Sequence, residues 1–193
     1  MTDIPDSITQ GGTHVALCSG GMESTVASHV SIRWGPCDIL VYLDTGTGSE
    51  SNRRFIERVA DTFGVTLFTI RTHEDYGDLV REHGFPGPAQ HGTMYRSLKE
   101  RQIGRLATLT DGRGNASDLY LWTGVRQRES QRRMAHVEAV QEADRWTWVA
   151  PIFDWTEERV KHYHEKLNPP KNHLWSTLGR SAYFFCGAFG SQE

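Results

Sequence analysis

Short apolar runs alternate with longer amphipathic ones along the chain, which predicts βα units and a parallel sheet. His14-Val15-Ala16-Leu17-Cys18 is the first expected strand, running into Ser19-Gly20-Gly21. A helix is expected over about 23–33. The continuous run Asp38-Ile39-Leu40-Val41-Tyr42-Leu43 has the pattern of a strand buried on both faces, and it ends at Asp44-Thr45-Gly46. Phe55, Ile56, Val59, Ala60 and Phe63 fall on one face of the next helix, which Gly64 closes. Residues 65–70 make a third strand. Residues 71–92, rich in Gly, Pro and His, are expected as a long loop.

A helix follows with Met94, Leu98, Ile103 and Leu106 as its apolar positions. Residues 111–118 are a polar turn and 119–123 a fourth strand. A helix over 130–142 and a fifth strand over 146–150 come next, the strand stopped by Pro151. Thr156 is a good N-cap for a last helix burying Val160, Tyr163 and Leu167. The fold class is therefore α/β, a mostly parallel five-stranded sheet flanked by helices.

A chain of 193 residues reads as one domain, its core about 14–167 with a less patterned segment at 168–193. That length buries a core without disulfide or metal staples. No apolar run reaches the roughly 18 residues of a membrane helix, and the first ten residues carry no basic leader. The 21 Lys and Arg against 24 Asp and Glu argue against non-specific nucleic-acid binding. Cys18, Cys37 and Cys186 stand far apart with no CxxC, which suits a reducing, cytoplasmic setting.

The first candidate chemistry is Ser19-Gly20-Gly21-Met22-Glu23-Ser24-Thr25 between a strand and a helix. Adjacent glycines let successive N–H groups face one anion, and the helix end and serine hydroxyls add donors. A Gly-Gly pair also makes plain tight turns; the strand–loop–helix context favours phosphate. Arg126, Arg128, Arg132 and Arg133 are either a solvated helix face or an anion clamp at the carboxyl end of the sheet. The nine histidines show no tight ligand spacing, so no metal site is assigned.

These segments resemble a known family. Ser19 to Thr25 is similar to the SGGxDS pyrophosphate loop of the adenine-nucleotide α-hydrolase, or PP-loop, superfamily. Asp44-Thr45-Gly46 resembles the DTG of its PAPS (phosphoadenosine phosphosulfate) reductase branch, and Leu98-Lys99 that branch's LK pair. Residues 123–133 resemble its TG(V/L)RxxESxxR motif, and Pro151-Ile152-Phe153-Asp154-Trp155 its PI-x-x-W. The ordered set runs from about 14 to about 187. It implies strand order 3-2-1-4-5 and an adenine nucleotide, ATP or PAPS/APS, as ligand.

On that resemblance Ser19, Gly20, Gly21, Glu23, Ser24 and Thr25 surround phosphate, and Asp44, Thr45 and Gly46 line the adenosine side. Gly124, Glu129, Ser130 and Arg133 complete the nucleotide site, with Lys99 and Arg126 as the catalytic cations. Glu23 replaces the usual Asp, either to bring Mg²⁺ or to steady the loop at the helix N-terminus. The cysteine pair and CxxC of cluster-binding relatives are missing, so no iron–sulfur cluster is expected. Cys186 lies among Tyr183, Phe184, Phe185 and Phe189 and reads as a packed residue rather than a nucleophile.

The expected function is a PAPS reductase-like enzyme acting at the α-phosphate side of the nucleotide, with AMP-forming adenylyl transfer or pyrophosphatase chemistry first. Thiol-dependent PAPS/APS reduction is the second reading, and a non-catalytic nucleotide-binding regulatory subunit the third. The implied partners are the nucleotide and a thiol donor or acceptor substrate, with a homodimer compatible and no membrane.

Overall fold

The computed structural model describes residues 2–87, 90–110, 118–128, 138–170 and 172. After a short helix α1 (Asp6–Thr9) come β1 (Thr13–Leu17), α2 (Met22–Trp34), β2 (Ile39–Asp44), α3 (Glu50–Phe63) and β3 (Thr66–Arg71). Helices α4 (Tyr76–His83), α5 (His91–Tyr95) and α6 (Arg101–Thr110) follow, with a π-turn (Arg96–Glu100) between the last two. Then come β4 (Leu119–Trp122), β5 (Val140–Glu142), β6 (Thr147–Val149) and α7 (Glu157–Leu167). The sheet order is β3-β2-β1-β4-β6-β5, all pairs parallel except β5 with β6.

The α/β class holds, and the five expected strands stand in the expected 3-2-1-4-5 order. The strand count is corrected from five to six. Val140, Gln141 and Glu142, expected at the end of a helix over 130–142, pair antiparallel with β6, Val140 opposite Val149 and Glu142 opposite Thr147. The Ala143 N–H donates to the Trp146 carbonyl at 2.9 Å and closes the hairpin. Three residues are too few to show a period of two, so pairing with β6 and not local pattern makes this strand. Residues 129–137 of the expected helix lie outside the described residues.

The expected long loop over 71–92 is also corrected, because it contains α4 and the start of α5. Asp75 caps α4 by accepting from the Gly77 and Asp78 N–H groups. Leu79 is its one buried residue, packed with Met94 and Leu98. A helix with a single buried position shows no apolar stripe to read.

Burial fixes the rest. Leu40, Val41, Val15 and Ala16 are almost wholly buried at the centre of the sheet. One face packs Phe55, Ile56 and Val59 of α3, and the other Ile103 and Leu106 of α6. Val26 and Val30 of α2 pack with Ile152, Trp155 and Val160. Each large side chain so buried contributes about 1.5–3 kcal/mol. Gly64 ends α3 in the left-handed region at φ 68°, its N–H returning to the Ala60 and Asp61 carbonyls. These contacts hold the carboxyl ends of β1, β2 and β4 side by side, where the chemistry-bearing loops emerge.

Candidate functional site

The turn from β1 into α2 is built from its own hydroxyls. Gly21 is the N-cap of α2 and brings no capping side chain to the first turn. Ser24 and Thr25 do not cap it either: their hydroxyls donate back to the Gly21 carbonyl at 3.0 and 2.8 Å. Ser24 Oγ also accepts from the Ser19 N–H at 3.2 Å and meets Ser19 Oγ at 3.1 Å. The first N–H groups of a helix have no intrahelical acceptor, and here no side chain of the turn replaces one. That leaves a positively polarised end with two serine hydroxyls beside it, the makings of an anion site. Thr25 is fully buried and serves the turn's own carbonyl.

Cys18 lies under the turn, buried among the hydroxyls of Ser24, Thr25 and Ser28. Burial pushes its thiol up, partly offset by the Gly20 N–H and those hydroxyls. Cys37 is also buried, and burial drives its thiol well above the ordinary range, with Asp38 adding to the effect.

The end of β4 abuts the first turn of α2. A Cβ on Gly124 would lie 2.7 Å from the Glu23 carbonyl carbon and the Ser24 nitrogen, so only glycine allows this approach. Two residues on, Arg126 turns back toward the same turn. It is 8% exposed and donates from Nη2 to Glu23 Oε1 at 3.2 Å, while its buried Nε has no hydrogen-bond partner among the described residues. A nearly buried guanidinium with an unmet donor is poised for a second anion.

A second group stands at the end of β2. Gly46 takes φ 71° and donates its N–H to Asp44 Oδ1 at 3.1 Å, while Arg71 of β3 meets Asp44 Oδ2 at 3.1 Å. Thr45 and Thr47 are buried with their hydroxyls 2.8 Å apart. Asp44, Gly46, Ser49, Arg71 and Tyr76 line a cavity of about 460 Å³ there. Lys99 stands half-buried on the π-turn between α5 and α6. Glu129, Ser130, Arg133 and Cys186 lie outside the described residues.

Sequence reasoning missed two asparagines. Asn52 is wholly buried at the start of α3, and its Nδ2 donates to the Ser19 carbonyl at 2.9 Å. Asn172, beyond α7, donates from Nδ2 to the Gly20 carbonyl and to Asn52 Oδ1, both at 3.1 Å. The signal for Asn52 was present: position 52 extends the 55, 56, 59, 60 stripe by one turn, so a polar residue falls on the core face.

The sequence model of the phosphoadenosine phosphosulfate reductase domain matches residues 13–181. The chain belongs to the phosphoadenosine phosphosulfate reductase family. Curated relatives agree. A phosphoadenosine 5′-phosphosulfate reductase of Xylella fastidiosa is 26% identical over 183 residues, covering 88% of this chain and 70% of that protein. One from Alkalilimnicola ehrlichii is 26% identical over 170 residues, 85% of this chain and 65% of its own. The fold is shared with Candida auris PAPS reductase in a phosphate complex, with a TM-score of 0.62 at 15% identity over 88% of this chain and 80% of that one. It is also shared with the U34-tRNA thiolase NcsA of Methanococcus maripaludis, which carries a [4Fe-4S] cluster. That match has a TM-score of 0.58 at 13% identity over 86% of this chain and 60% of the thiolase.

Membership places the chain in the PP-loop superfamily and makes it a nucleotide-binding enzyme of the PAPS reductase type. Among the described residues no group of three or more His, Cys, Asp or Glu could hold a metal ion. No helix among them is long and apolar enough to cross a membrane.

Proposed function

We propose that the Ser19–Ser24 turn binds the phosphates of a sulfonucleotide, PAPS or APS, and that Arg126 neutralises charge on the same group. The observation that carries this is the meeting of Arg126 with the first turn of α2 at Glu23, over Gly124. Ser19, Gly20, Gly21 and Ser24 surround the group, and the donors are the N–H groups of Gly21 and of the first turn of α2, which no side chain of the turn caps. Asp44, Thr45 and Gly46 are assigned to the adenosine side of the crevice; Asp44 and Gly46 line the cavity at the end of β2, and buried Thr45 stands behind them. Lys99 and the motif residues Glu129, Ser130 and Arg133 are assigned to the site on the family resemblance alone. Placement and charge neutralisation supply most of the barrier lowering at such a centre.

Reduction then follows from thiol chemistry. A thiolate attacks the sulfate sulfur, the S–O bond to the 5′-phosphate breaks, and the adenosine phosphate leaves. A second thiol of the reductant displaces sulfite and closes a disulfide. Buried Cys18 and Cys37, with raised thiols, are poor sources of that thiolate. The thiolate is therefore assigned to Cys186 or to an external dithiol of the thioredoxin class. Three cysteines in this chain fall short of the four thiolates of a [4Fe–4S] centre, so the reaction is proposed to run without one.

The buried cysteines also favour a second reading, AMP-forming transfer from ATP with Mg²⁺, which needs no thiolate. One assay separates the two. Sulfite release from PAPS or APS with a dithiol supports reduction, and pyrophosphate release from ATP and Mg²⁺ supports adenylyl transfer. Neither product, with tight nucleotide binding, supports a regulatory subunit. Cys186→Ser then tells the internal thiolate from the external one.

A further inference from the structure

The two asparagines form one chain of donors beneath the phosphate turn. Ser49 starts it: its side chain accepts from the Asn52 N–H at 3.1 Å and fixes the first turn of α3. Asn52 Nδ2 reaches the Ser19 carbonyl, and Asn172 Nδ2 reaches both the Gly20 carbonyl and Asn52 Oδ1. Two consecutive carbonyls of the turn are therefore held by side-chain amides from distant parts of the sequence.

The consequence follows from peptide geometry. No described peptide bond is cis, and in a trans peptide the carbonyl of one residue points opposite to the N–H of the next. Holding the Ser19 carbonyl on Asn52 sends the Gly20 N–H the other way, where it meets the Cys18 thiol. Holding the Gly20 carbonyl on Asn172 leaves the Gly21 N–H directed away from the amide pair. Gly20 pays for this with φ 86°, and a Cβ there would sit 2.2 Å from Asn52 Oδ1. Asn52 in this position thus requires glycine at 20.

We propose that Asn52 and Asn172 are positioning residues of the phosphate site, and that Asn172 completes that site by latching the turn. This rests on the assignment of the Ser19–Ser24 turn to phosphate. Without Asn172 the Gly20–Gly21 peptide loses its side-chain anchor and can rotate, taking the Gly21 N–H out of register with the first turn of α2. The latch ties phosphate affinity to a single residue far along the chain, Asn172 to Gly20 being 152 apart.

The test titrates the full chain with PAPS and, separately, with inorganic pyrophosphate, by calorimetry. Asn172→Ala should weaken PAPS binding about tenfold, the scale of one or two lost hydrogen bonds. The isosteric Asn172→Asp, which keeps the shape and loses the donor, should lose as much at neutral pH. The urea midpoint of the ligand-free Asn172→Ala protein should move little, whereas a merely structural role would lower it along with the affinity. Asn52→Ala should also weaken binding, and the double variant should lose less than the product of the two single losses, because the residues act as one chain. Asn52 is buried and that variant can fail to fold; the Asn172 pair decides the matter alone. Wild-type affinity in both Asn172 variants, with Ser24→Ala still weakened, overturns the latch and spares the phosphate assignment. No binding of PAPS or pyrophosphate by the wild type, or no loss in Ser24→Ala, overturns the assignment itself and the latch with it.

Discussion

Arg126, just beyond β4, lies nine-tenths buried and donates to Glu23 in the first turn of α2 at 3.2 Å. The contact joins two motifs about a hundred residues apart, the Gly-Gly turn and the Thr-Gly-Val-Arg segment. It also sets a carboxylate close to where phosphate is proposed to bind.

Arg126→Ala should lower affinity for PAPS by a factor of about 10 to 100, since a charged hydrogen bond contributes about 1.5–3 kcal/mol. Arg126→Lys should recover only part, because an ammonium lacks the planar fork. Calorimetric titration at fixed salt measures both. Wild-type affinity in Arg126→Ala would remove this residue from the site.

Glu23→Gln separates the two roles left open for that carboxylate. If it only steadies Arg126, the amide keeps the hydrogen bond, removes negative charge, and tightens binding of metal-free nucleotide. Weaker binding in the presence of Mg²⁺ alone would instead show that Glu23 acts through the cation.

Gly124→Ala should damage both fold and site. Its Cβ would press on the α2 backbone at 2.7 Å, and backbone shifts of that kind cost about 1–3 kcal/mol. The unfolding midpoint should fall and PAPS affinity with it. An unchanged midpoint would show that β4 and α2 can separate without cost.

Trp155 offers a cleaner stability test. It is 5% exposed, packed with Val26, Val30 and Val160, and its buried Nε1 has no hydrogen-bond partner among the described residues. Trp155→Ala should cost about 3–5 kcal/mol. Trp155→Phe should cost much less than that, because no hydrogen bond is lost. Equal losses in the two variants, read by urea unfolding, would contradict this packing.

Stability should fall on mild acidification. Burial holds His14, His29 and His164 below the usual histidine pKa, with Arg33 adding to the effect at His29. Below about pH 6.5 the unfolded chain takes up protons that the folded protein refuses. Their contribution is therefore full above that pH and is lost as pH falls toward the folded values. His14 Nδ1 accepts from Trp122 Nε1 at 3.2 Å and Nε2 meets the Gly11 carbonyl at 2.6 Å, which fits the neutral ring. The Tm should drop between about pH 7.5 and 5.5, with a shallower slope in His14→Gln. The same slope in that variant would discharge His14 from the effect.

Most of the sheet was legible because β2 and β4 are largely continuous apolar runs and α3 and α6 carry apolar stripes. The Gly-Gly turn was legible for a local reason, a strand, two glycines and a helix in immediate succession. What sequence could not show came from tertiary contact. β5 exists by pairing with β6, and α4 has an Asp75 cap and a single buried residue, Leu79. The Asn172 contact with Gly20 spans most of the chain and leaves no local trace. Asn52 was readable as a polar intruder on an apolar stripe, but its purpose needed the neighbouring turn.

The most direct test of the phosphate assignment is a nitrogen-15 NMR titration of the full chain with PAPS. The amides of Gly20, Gly21, Met22, Glu23 and Ser24 should move most, together with the Arg126 side chain. If those signals stay still while changes gather at the groove of Trp34, Trp155, Arg159 and Tyr163 between α2 and α7, the nucleotide binds elsewhere and the assignment is wrong.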